Sequence, residues 1–217
     1  MKRDFITAAI AIVVFTVLLG VVYPLAMTGA SQVIFPGNAN GQKIYRDGQL
    51  VGSALIGQSF REPVYKDGKE EMSGGNPVTA PDPRYFQTRP SGTTPADNAA
   101  ATTFANYGPN GVNTEQYLAA NLKAYLQMDK PYDPTLTAKQ VPVDAIDTSA
   151  SGIDPDISQA NAWIQAHRVA AVRHLPLSTV MRLISKYTGG RGLGFSGEKT
   201  VNVLELNLAL DRLTGAH

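Results

Sequence analysis

The sequence has no cysteine, few histidines and little net charge, and each shortage excludes a class of function. None of the 217 residues is cysteine, so a disulfide framework, an iron-sulfur cluster, a thiolate zinc site and a thiol nucleophile are excluded. The three histidines are too few for a histidine-rich metal site, and we expect no metal. The formal net charge is +1, so the chain lacks the positive field of nucleic-acid-binding proteins, and we expect no nucleic acid partner.

The apolar residues are concentrated in one run near the N-terminus. Residues 5–27 carry no charge, and the polar side chains among them are Thr7, Thr16 and Tyr23. A helix of this length measures roughly 34 Å, enough to cross a hydrocarbon core about 30 Å thick. We therefore predict a transmembrane helix over residues 5–27, with Tyr23 at the interface and Pro24 where the backbone begins to leave helical geometry.

A cleaved signal peptide is the alternative interpretation of this run, because Lys2 and Arg3 precede it and small residues follow it. The run exceeds the usual apolar part of a signal peptide and no A-x-A site comes directly after it, so a retained anchor is favoured. No further basic residue occurs before Lys43, and the positive-inside rule therefore predicts a cytoplasmic N-terminus. Residues 28–217 would form an extracytoplasmic domain, anchored in the plasma membrane by a single span.

C-terminal to the apolar run, the turn signals and the apolar periodicity predict one mixed α+β domain. After a short connector over residues 28–41, Asp47-Gly48 separates two β-prone stretches, which predicts a hairpin with a type I′ turn within residues 42–56. Helices are expected over residues 114–127, 158–174 and 178–188, with Asn113 and Thr114 as caps of the first and Gly189 as the stop of the third. A short strand is expected over residues 201–203. Residues 204–213 fit both periods, and we choose a helix.

A long proline-rich stretch interrupts this domain. Residues 61–113 contain seven of the fourteen prolines and many glycine, asparagine, threonine and serine residues, which predicts a loop-rich insertion. The glycine runs at residues 73–75 and 188–194 lack the spacing or the strand-helix context of phosphate-binding loops. Both are therefore interpreted as turns.

No pattern in the sequence predicts a catalytic site. His167 and His174 are two helical turns apart, too far for easy shared coordination of one metal ion. Arg168 and Arg173 could bind a carboxylate or phosphate of a partner, but a solvated helix face is the usual reason for such charges. Neither a Ser-His-Asp arrangement nor paired carboxylates stand out, so we expect that the chain is not an enzyme.

Four sequence blocks carry a family pattern. The first, G-x-x-Y-P-L-x-x-T-G-x-x-Q-x-x-F-P-x-x-A-x-G, covers residues 20–41 and includes Gly20, Tyr23, Pro24, Thr28 and Gln32. The second, VGSALIGQSF, covers residues 51–60 and includes Gly57 and Gln58. The third, TSASGIDPDIS, covers residues 148–158, includes Ser151, Gly152 and Asp154, and is followed at the expected place by Arg168. The fourth, VNVLELNLALD, covers residues 201–211 and includes Asn202 and Asn207.

In this order, and over nearly the whole chain, the blocks resemble the C subunit of the Kdp potassium-transporting P-type ATPase of bacteria and archaea. The chain departs from the family pattern in the middle, where extra residues near 64–84 precede the Tyr-Phe-x-x-Arg-Pro-Ser motif at residues 85–91. The family's S-G-G-S-N-L-G-P segment is also replaced by residues 105–111. Contacts that the family makes through that segment are not carried over.

The resemblance implies a non-catalytic accessory subunit of a complex that imports K⁺ with high affinity at the expense of ATP. The implied partners are a channel-like K⁺-translocating subunit, a P-type ATPase subunit and the lipid bilayer. The family's C subunit is held to support assembly and stability, and is described as a catalytic chaperone that raises the ATP affinity of the ATPase subunit. The chain has no D-K-T-G-T phosphorylation motif, and we expect no firmly bound cofactor, with ATP entering only at the level of the complex.

The residues also suggest how such a subunit would work. Gly20, with alanines earlier in the run, would let partner transmembrane helices approach closely, and Tyr23, Pro24, Thr28 and Gln32 would lie at the membrane interface. The extracytoplasmic domain would cap the ion-uptake side of the channel-like subunit. The alternatives are a secreted or anchored hydrolase and a secreted or membrane-anchored extracytoplasmic binding protein.

Overall fold

The chain divides into a helical N-terminal unit and a mixed C-terminal unit. A computed structural model of the protein describes residues 1–93, 95–100, 107–191 and 194–215. The two compact units are Met1–Ser53 and Ala54–His217. An apolar helix able to span a membrane is followed by an α+β domain with small sheets, so the predicted fold class is confirmed.

The N-terminal helix is longer than predicted. Helix α1 (Lys2–Val17), a π-helical turn (Leu18–Val22) and helix α2 (Tyr23–Ile34) run on without a break. Within the described residues, Lys2–Ile34 is the helix long and apolar enough to cross a membrane, and none of the window that qualifies it is buried. Its 33 residues measure roughly 50 Å, against about 30 Å for a hydrocarbon core.

The expected departure from helical geometry at Pro24 is therefore wrong, and the π turn gives the reason. Proline lacks an N–H, and its ring collides with the carbonyl four residues back in a regular helix. Here the Tyr23 N–H donates to the Leu18 carbonyl, five residues back, so the helix is widened just before the ring. The predicted connector over residues 28–41 is likewise helical, in α2 and in the short α3 (Pro36–Ala39).

The predicted hairpin is confirmed and forms the C-terminal end of the first unit. Strands β1 (Lys43–Arg46) and β2 (Gln49–Ser53) pair antiparallel, with a bulge between Ile44 and Tyr45. Asp47 and Gly48 have φ of 50° and 79°, as a type I′ turn requires of both central residues.

The first part of the proline-rich stretch is a set of short hairpins rather than a loop. Strand β3 (Arg61–Pro63) pairs with β8 (Thr79–Pro81), and between them β4 (Tyr65–Lys66) pairs with β5 (Lys69–Glu70) and β6 (Met72–Ser73) with β7 (Asn76–Pro77). Gly74 and Gly75 form the turn between β6 and β7, which confirms the turn predicted at residues 73–75. Residues 82–93 and 95–100 contain no helix or strand.

The second half of the chain supplies the helices of the C-terminal unit. They are α4 (Val112–Asp129), α5 (Gln159–Val172), α6 (Leu177–Lys186) and α7 (Val203–Thr214). Two 3₁₀ turns, at Ala138–Gln140 and Val143–Ala145, lie between α4 and α5. Strands β9 (Asp156–Ser158) and β10 (Thr200–Asn202) pair antiparallel. The core lies between α5, α6 and α7 and contains Ile157, Val169, Val180, Ile184, Val201, Leu206, Leu210 and Phe86. All predicted helices are present, including the ambiguous residues 204–213.

Several predicted helix ends are wrong. The N-cap of α4 is Gly111, while the Thr114 hydroxyl donates instead to the Gly108 carbonyl. Helix α6 ends with Tyr187 as its C-cap rather than at Gly189. Helix α5 ends at Val172, because His174 takes a left-handed φ of 54° and the Leu175 N–H returns to the Ala170 carbonyl. The glycine run at residues 188–194 lies partly outside the described residues.

Candidate functional site

Two side-chain amides hold the irregular segment that carries the Tyr-Phe-x-x-Arg-Pro-Ser motif. Asn207 on α7 accepts from the Phe86 N–H at 2.9 Å and donates to the Phe86 carbonyl at 3.0 Å. Gln165 on α5 does the same for Gln87, at 2.8 and 3.1 Å. Each amide thus supplies the donor and acceptor that a neighbouring strand would supply, so Phe86 can be fully buried with its backbone satisfied.

Arg168, a predicted family-motif residue, lies at the centre of this polar core. Its guanidinium binds the Asp129 carboxylate through Nε at 2.9 Å, and donates to the Pro83 and Tyr85 carbonyls at 2.7 and 2.9 Å. The side chain of Arg168 is 0% exposed and that of Asp129 2%. Burial raises the pKa of the Asp129 carboxyl, although the Arg168 charge opposes this. The expectation of a solvated helix face is wrong for Arg168, because its guanidinium is buried and paired with the Asp129 carboxylate.

Arg173 is internal as well. Its Nη2 lies 2.8 Å from Asp211, its Nε donates to the Arg84 carbonyl at 2.7 Å, and its guanidinium stacks 4.5 Å from the Tyr85 ring centre. Burial, followed by the nearby Asp211 charge, raises the pKa of the Tyr85 phenol. The solvated-face expectation is therefore wrong for this arginine too.

The polar core continues along one face of α5. Ser158, Asn161, Gln165 and Arg168 follow one another at steps of three and four residues, so they lie on the same side of the helix. Asn161 accepts from the Tyr125 hydroxyl at 2.9 Å and donates to Asp144. Asp144 also accepts from the hydroxyl of Ser158, the N-cap of the helix. Sequence reasoning missed Asn161 and Gln165, although their spacing among small apolar residues was a usable signal.

The second and third family blocks meet at Gly57. The Gly57 N–H donates to the Ile153 carbonyl at 2.8 Å, and a Cβ at Gly57 would lie 2.8 Å from the Asp154 carbonyl oxygen. Gly152 has a φ of 72°, and its carbonyl accepts from the Ser91 hydroxyl at 2.7 Å. Ser151 lies in the same loop, with its hydroxyl 3.2 Å from that of Ser149. Glycine is required at Gly57 by contact and at Gly152 by conformation.

Asp154 and Asn202 tie the remaining blocks to this junction. Asp154 accepts from Arg89 at 3.4 Å, and Arg89 also donates to the Thr148 carbonyl at 2.9 Å. Asn202 caps α7 by accepting from the Glu205 N–H, and donates to the Ala54 carbonyl at 2.9 Å. Gln58 is exposed, and no hydrogen bond joins its side chain to the described residues. The structure thus brings Gly57, Gly152 and Asp154 together at this junction, with Ser151 in the same loop and Asn202 bonded to Ala54. Arg168 and Asn207 instead bind residues 83–86, and Gln58 joins neither group.

The residues predicted at the membrane interface lie on the exposed surface of the N-terminal helix. Gly20 is in the π turn, where a Cβ would meet nothing within 4 Å. The Thr28 hydroxyl donates to the Pro24 carbonyl at 2.8 Å, and the Gln32 and Asn40 amides bond each other at 3.0 and 3.3 Å. Their polar groups are therefore satisfied within the unit, while Tyr23 is 58% exposed. Their packing against partners stays a prediction.

The C-terminal unit is organised around paired polar groups. Within the described residues, every buried side-chain nitrogen and oxygen has a hydrogen-bond partner. No group of three or more acidic or histidine side chains in those residues is arranged to hold a metal ion. A cavity of about 180 Å³ lies between Arg61, Thr88, Arg89 and Asp97, and burial raises the pKa of the Asp97 carboxyl within it. These paired polar groups hold the irregular segment at residues 85–91 in place.

Comparison with known proteins gives one consistent family. Residues 5–212 match the family model described as "KdpC: K+-transporting ATPase, c chain". A protein of Mycobacterium bovis BCG, named potassium-transporting ATPase KdpC subunit, is 44% identical over 213 residues, covering 98% of this chain and 100% of the relative. Proteins of the same name from Methylococcus capsulatus and Streptomyces coelicolor are 44% and 41% identical, over 98% and 97% of this chain and 100% and 93% of theirs.

The family match extends over both structural units, from within the apolar helix to the last turn of α7, and confirms the resemblance carried by the four blocks. The relatives are subunits of a potassium-transporting ATPase by name, and a helix long and apolar enough to cross a membrane agrees with a place in a membrane complex. The chain belongs to the KdpC family, the C chain of K⁺-transporting ATPases, and is a membrane-associated subunit of that potassium-transport complex.

Proposed function

We propose that this chain is a non-catalytic subunit that holds a channel-like K⁺-translocating subunit and a P-type ATPase subunit in one complex. The N-terminal helix carries this proposal, because none of its residues is buried although most are apolar. Lipid can cover part of this surface. The π turn at Leu18–Val22 and the open space at Gly20 suit close approach by partner helices, which need small residues and good packing within a membrane.

The orientation of the chain is the second part of the proposal. Lys2 and Arg3 are the basic residues that flank the N-terminal end of the apolar run, which favours a cytoplasmic N-terminus. The C-terminal unit then lies outside the cell, where it caps the ion-uptake side of the channel-like subunit. This places the unit across the membrane from ATP. An effect on the ATP affinity of the ATPase subunit would therefore act through contacts between transmembrane helices, without nucleotide contact by this chain.

Co-purification tests the assembly role. The chain, tagged at its C-terminus, is purified from potassium-starved membranes, and the recovered proteins are analysed by intact mass. We expect a P-type ATPase and a multi-span channel-like protein, together with a tagged chain that retains residues 1–27. A lone chain that lacks this segment would overturn the proposal and favour a secreted binding protein or hydrolase.

The absence of cysteine makes the orientation directly measurable. Asp4→Cys and Ser196→Cys would each introduce the sole thiol of the chain, and the unchanged chain serves as the unlabelled control. We expect a membrane-impermeant maleimide to label Ser196→Cys in intact cells, and Asp4→Cys only after permeabilisation. The opposite labelling pattern would disprove the proposed orientation.

A further inference from the structure

Helix α4 has an unusual distribution of side chains. The face toward the rest of the unit carries Asn121, Tyr125 and Asp129, spaced four residues apart, which bind the Ile146 carbonyl, Asn161 and Arg168. Asp129 is the fully buried residue of this helix. A surface helix normally turns its apolar stripe inward, whereas α4 is anchored through polar groups.

The apolar residues of α4 instead line an open groove. Ala119, Leu122 and Leu126 form its helical wall, and the link that follows the helix closes it with Pro131 and Pro134. The volume of the groove is about 740 Å³. Apolar surface arranged in this way on a subunit of a complex is typical of a contact with another protein.

The charges at the groove have one sign. Lys123 and Lys130 are its ionisable lining residues, and they lie seven positions apart, about 10.5 Å or two turns along the helix. Two acidic residues lie close by without lining the groove: the carboxylate of Asp129 is buried against Arg168, and that of Asp133 accepts hydrogen bonds from the Thr135 hydroxyl and N–H. The groove is therefore an apolar surface with a positive rim, which attracts carboxylates on whatever fills it.

We propose that this groove binds an apolar segment of a partner subunit that carries acidic residues facing Lys123 and Lys130. Apart from Gln127 and the two ammonium groups, the lining offers no polar side chain to orient a small ligand, which makes a metabolite site a poor fit. The groove is open to solvent, so a helix or strand of a partner can enter it. This inference rests on the proposed function, since it assumes a partner subunit on the same side of the membrane.

Photo-cross-linking in the assembled complex tests the inference. Gln127→Cys, labelled with a benzophenone maleimide, places the reactive group in the groove, and labelled Ser196→Cys is the matched control on an exposed segment. We expect an adduct between Gln127→Cys and a co-purifying subunit, on a peptide that joins an apolar run to aspartate or glutamate. An adduct with lipid or with a second copy of this chain, a peptide without carboxylates, or no adduct would overturn the inference.

Charge reversal gives a second and independent readout. In the Gln127→Cys background, Lys123→Glu with Lys130→Glu should lower the cross-linking yield at least tenfold, and Lys199→Glu should leave it unchanged. Leu126→Gln should lower the yield, whereas Leu213→Gln, at an exposed leucine of α7, should not. Because all five substituted sites are at least partly exposed, fluorescence of the single tryptophan, Trp163, should confirm unchanged folding. Equal yields from all variants would contradict the proposed groove.

The two proposals can fail separately. If the wild-type chain recovers no partner subunits, the assembly role itself is wrong. If the charge-reversed chain still recovers its partners through the N-terminal helix and keeps its full cross-linking yield, the assembly role stands and the groove proposal fails.

Discussion

The two units of the chain depart from the usual placement of polar and apolar groups: the first exposes apolar side chains, and the second buries polar ones. The N-terminal helix exposes apolar side chains along its whole length and buries none. The C-terminal unit buries Arg168, Gln165, Asn161 and Asn207 among its apolar core residues. The first unit therefore leaves its apolar helix uncovered within the chain, while internal hydrogen bonds pair the buried polar groups of the second unit. The predictions that follow test this division.

The largest effect is expected from breaking the buried ion pair. Arg168→Met leaves the Asp129 carboxylate without its partner and frees two carbonyls, at a cost of about 3–5 kcal/mol in the free energy of unfolding. Urea unfolding of the full chain in detergent, followed by Trp163 fluorescence, measures it. Adding Asp129→Leu should recover part of the loss. If the double variant were no more stable than the single one, the unpaired carboxylate would not be the cause.

The amide that holds Phe86 should be next in effect. Asn207→Leu leaves a buried N–H and a buried carbonyl without partners, which should lower the free energy of unfolding by about 2–4 kcal/mol. Asn207→Asp keeps the acceptor but loses the donor and adds a buried carboxyl group, so we expect it to be no more stable than Asn207→Leu at pH 7. A loss below 1 kcal/mol for Asn207→Leu would mean that the segment does not depend on this contact.

Gly57 tests the junction between the family blocks. Gly57→Ala places a Cβ 2.8 Å from the Asp154 carbonyl oxygen, so the loop must shift, and we expect a loss of about 1–3 kcal/mol in the same urea assay. Gly190→Ala is the control, since a Cβ there meets nothing within 4 Å and its φ is not positive. Equal stability of the two variants would show that the junction is loosely packed.

A smaller, pH-dependent effect is expected at Asp97. Burial raises the pKa of its carboxyl above the usual 3.8, against the Thr88 hydrogen bond and the Arg61 charge, so the folded state favours the neutral form. The stability contribution of Asp97 is therefore greatest at low pH and falls as pH rises from about 3.8 through the raised pKa. Asp97→Asn should be the more stable chain at pH 7 and lose this advantage in acid. Asp67→Asn, also at a left-handed aspartate but in an exposed turn, is the control for the backbone effect.

The smallest effect on unfolding is expected in the N-terminal helix. Gly20→Leu meets open space within the chain, so Trp163-monitored unfolding should not change. Recovery of partner subunits should nevertheless fall, because the bulky side chain would prevent close helix approach. Val22→Leu, two residues on and therefore on another face of the helix, is the control for added apolar bulk. Unchanged recovery with Gly20→Leu would place the partner interface elsewhere on the helix.

Local signals in the sequence predicted much of the fold. The Asp47-Gly48 hairpin and helices α4 to α7 were found because turn chemistry and periodicity are encoded within a few residues. The π turn was not predicted, because the residues before and after it are uniformly apolar and carry no local signal of a change in helix type. The polar core was also missed, because Arg168 meets Asp129 across 39 positions and a carbonyl across 85, and charge alone suggests solvent.

The family blocks were recognised before their physical roles could be assigned. Gly57, Gly152, Asp154, Arg168, Asn202 and Asn207 came from the resemblance. In the structure the four polar side chains bond backbone groups, Gly57 avoids a collision and Gly152 takes a left-handed φ. Gln165 and Asp129 complete the same network, yet neither belongs to a block that sequence reasoning had singled out.

The stem formed by β3 and β8 gives the protein a natural attachment point. Because Arg61 pairs with Pro81, the chain leaves the C-terminal unit and returns to it at the same place. The exposed hairpins between these two residues form a branch that could be removed or replaced as one piece. A tight turn could replace this branch, or an epitope or fluorescent protein could be grafted on it, with little loop-closure cost. The branch therefore offers a handle for following the assembled transporter in living cells while both chain ends stay untouched.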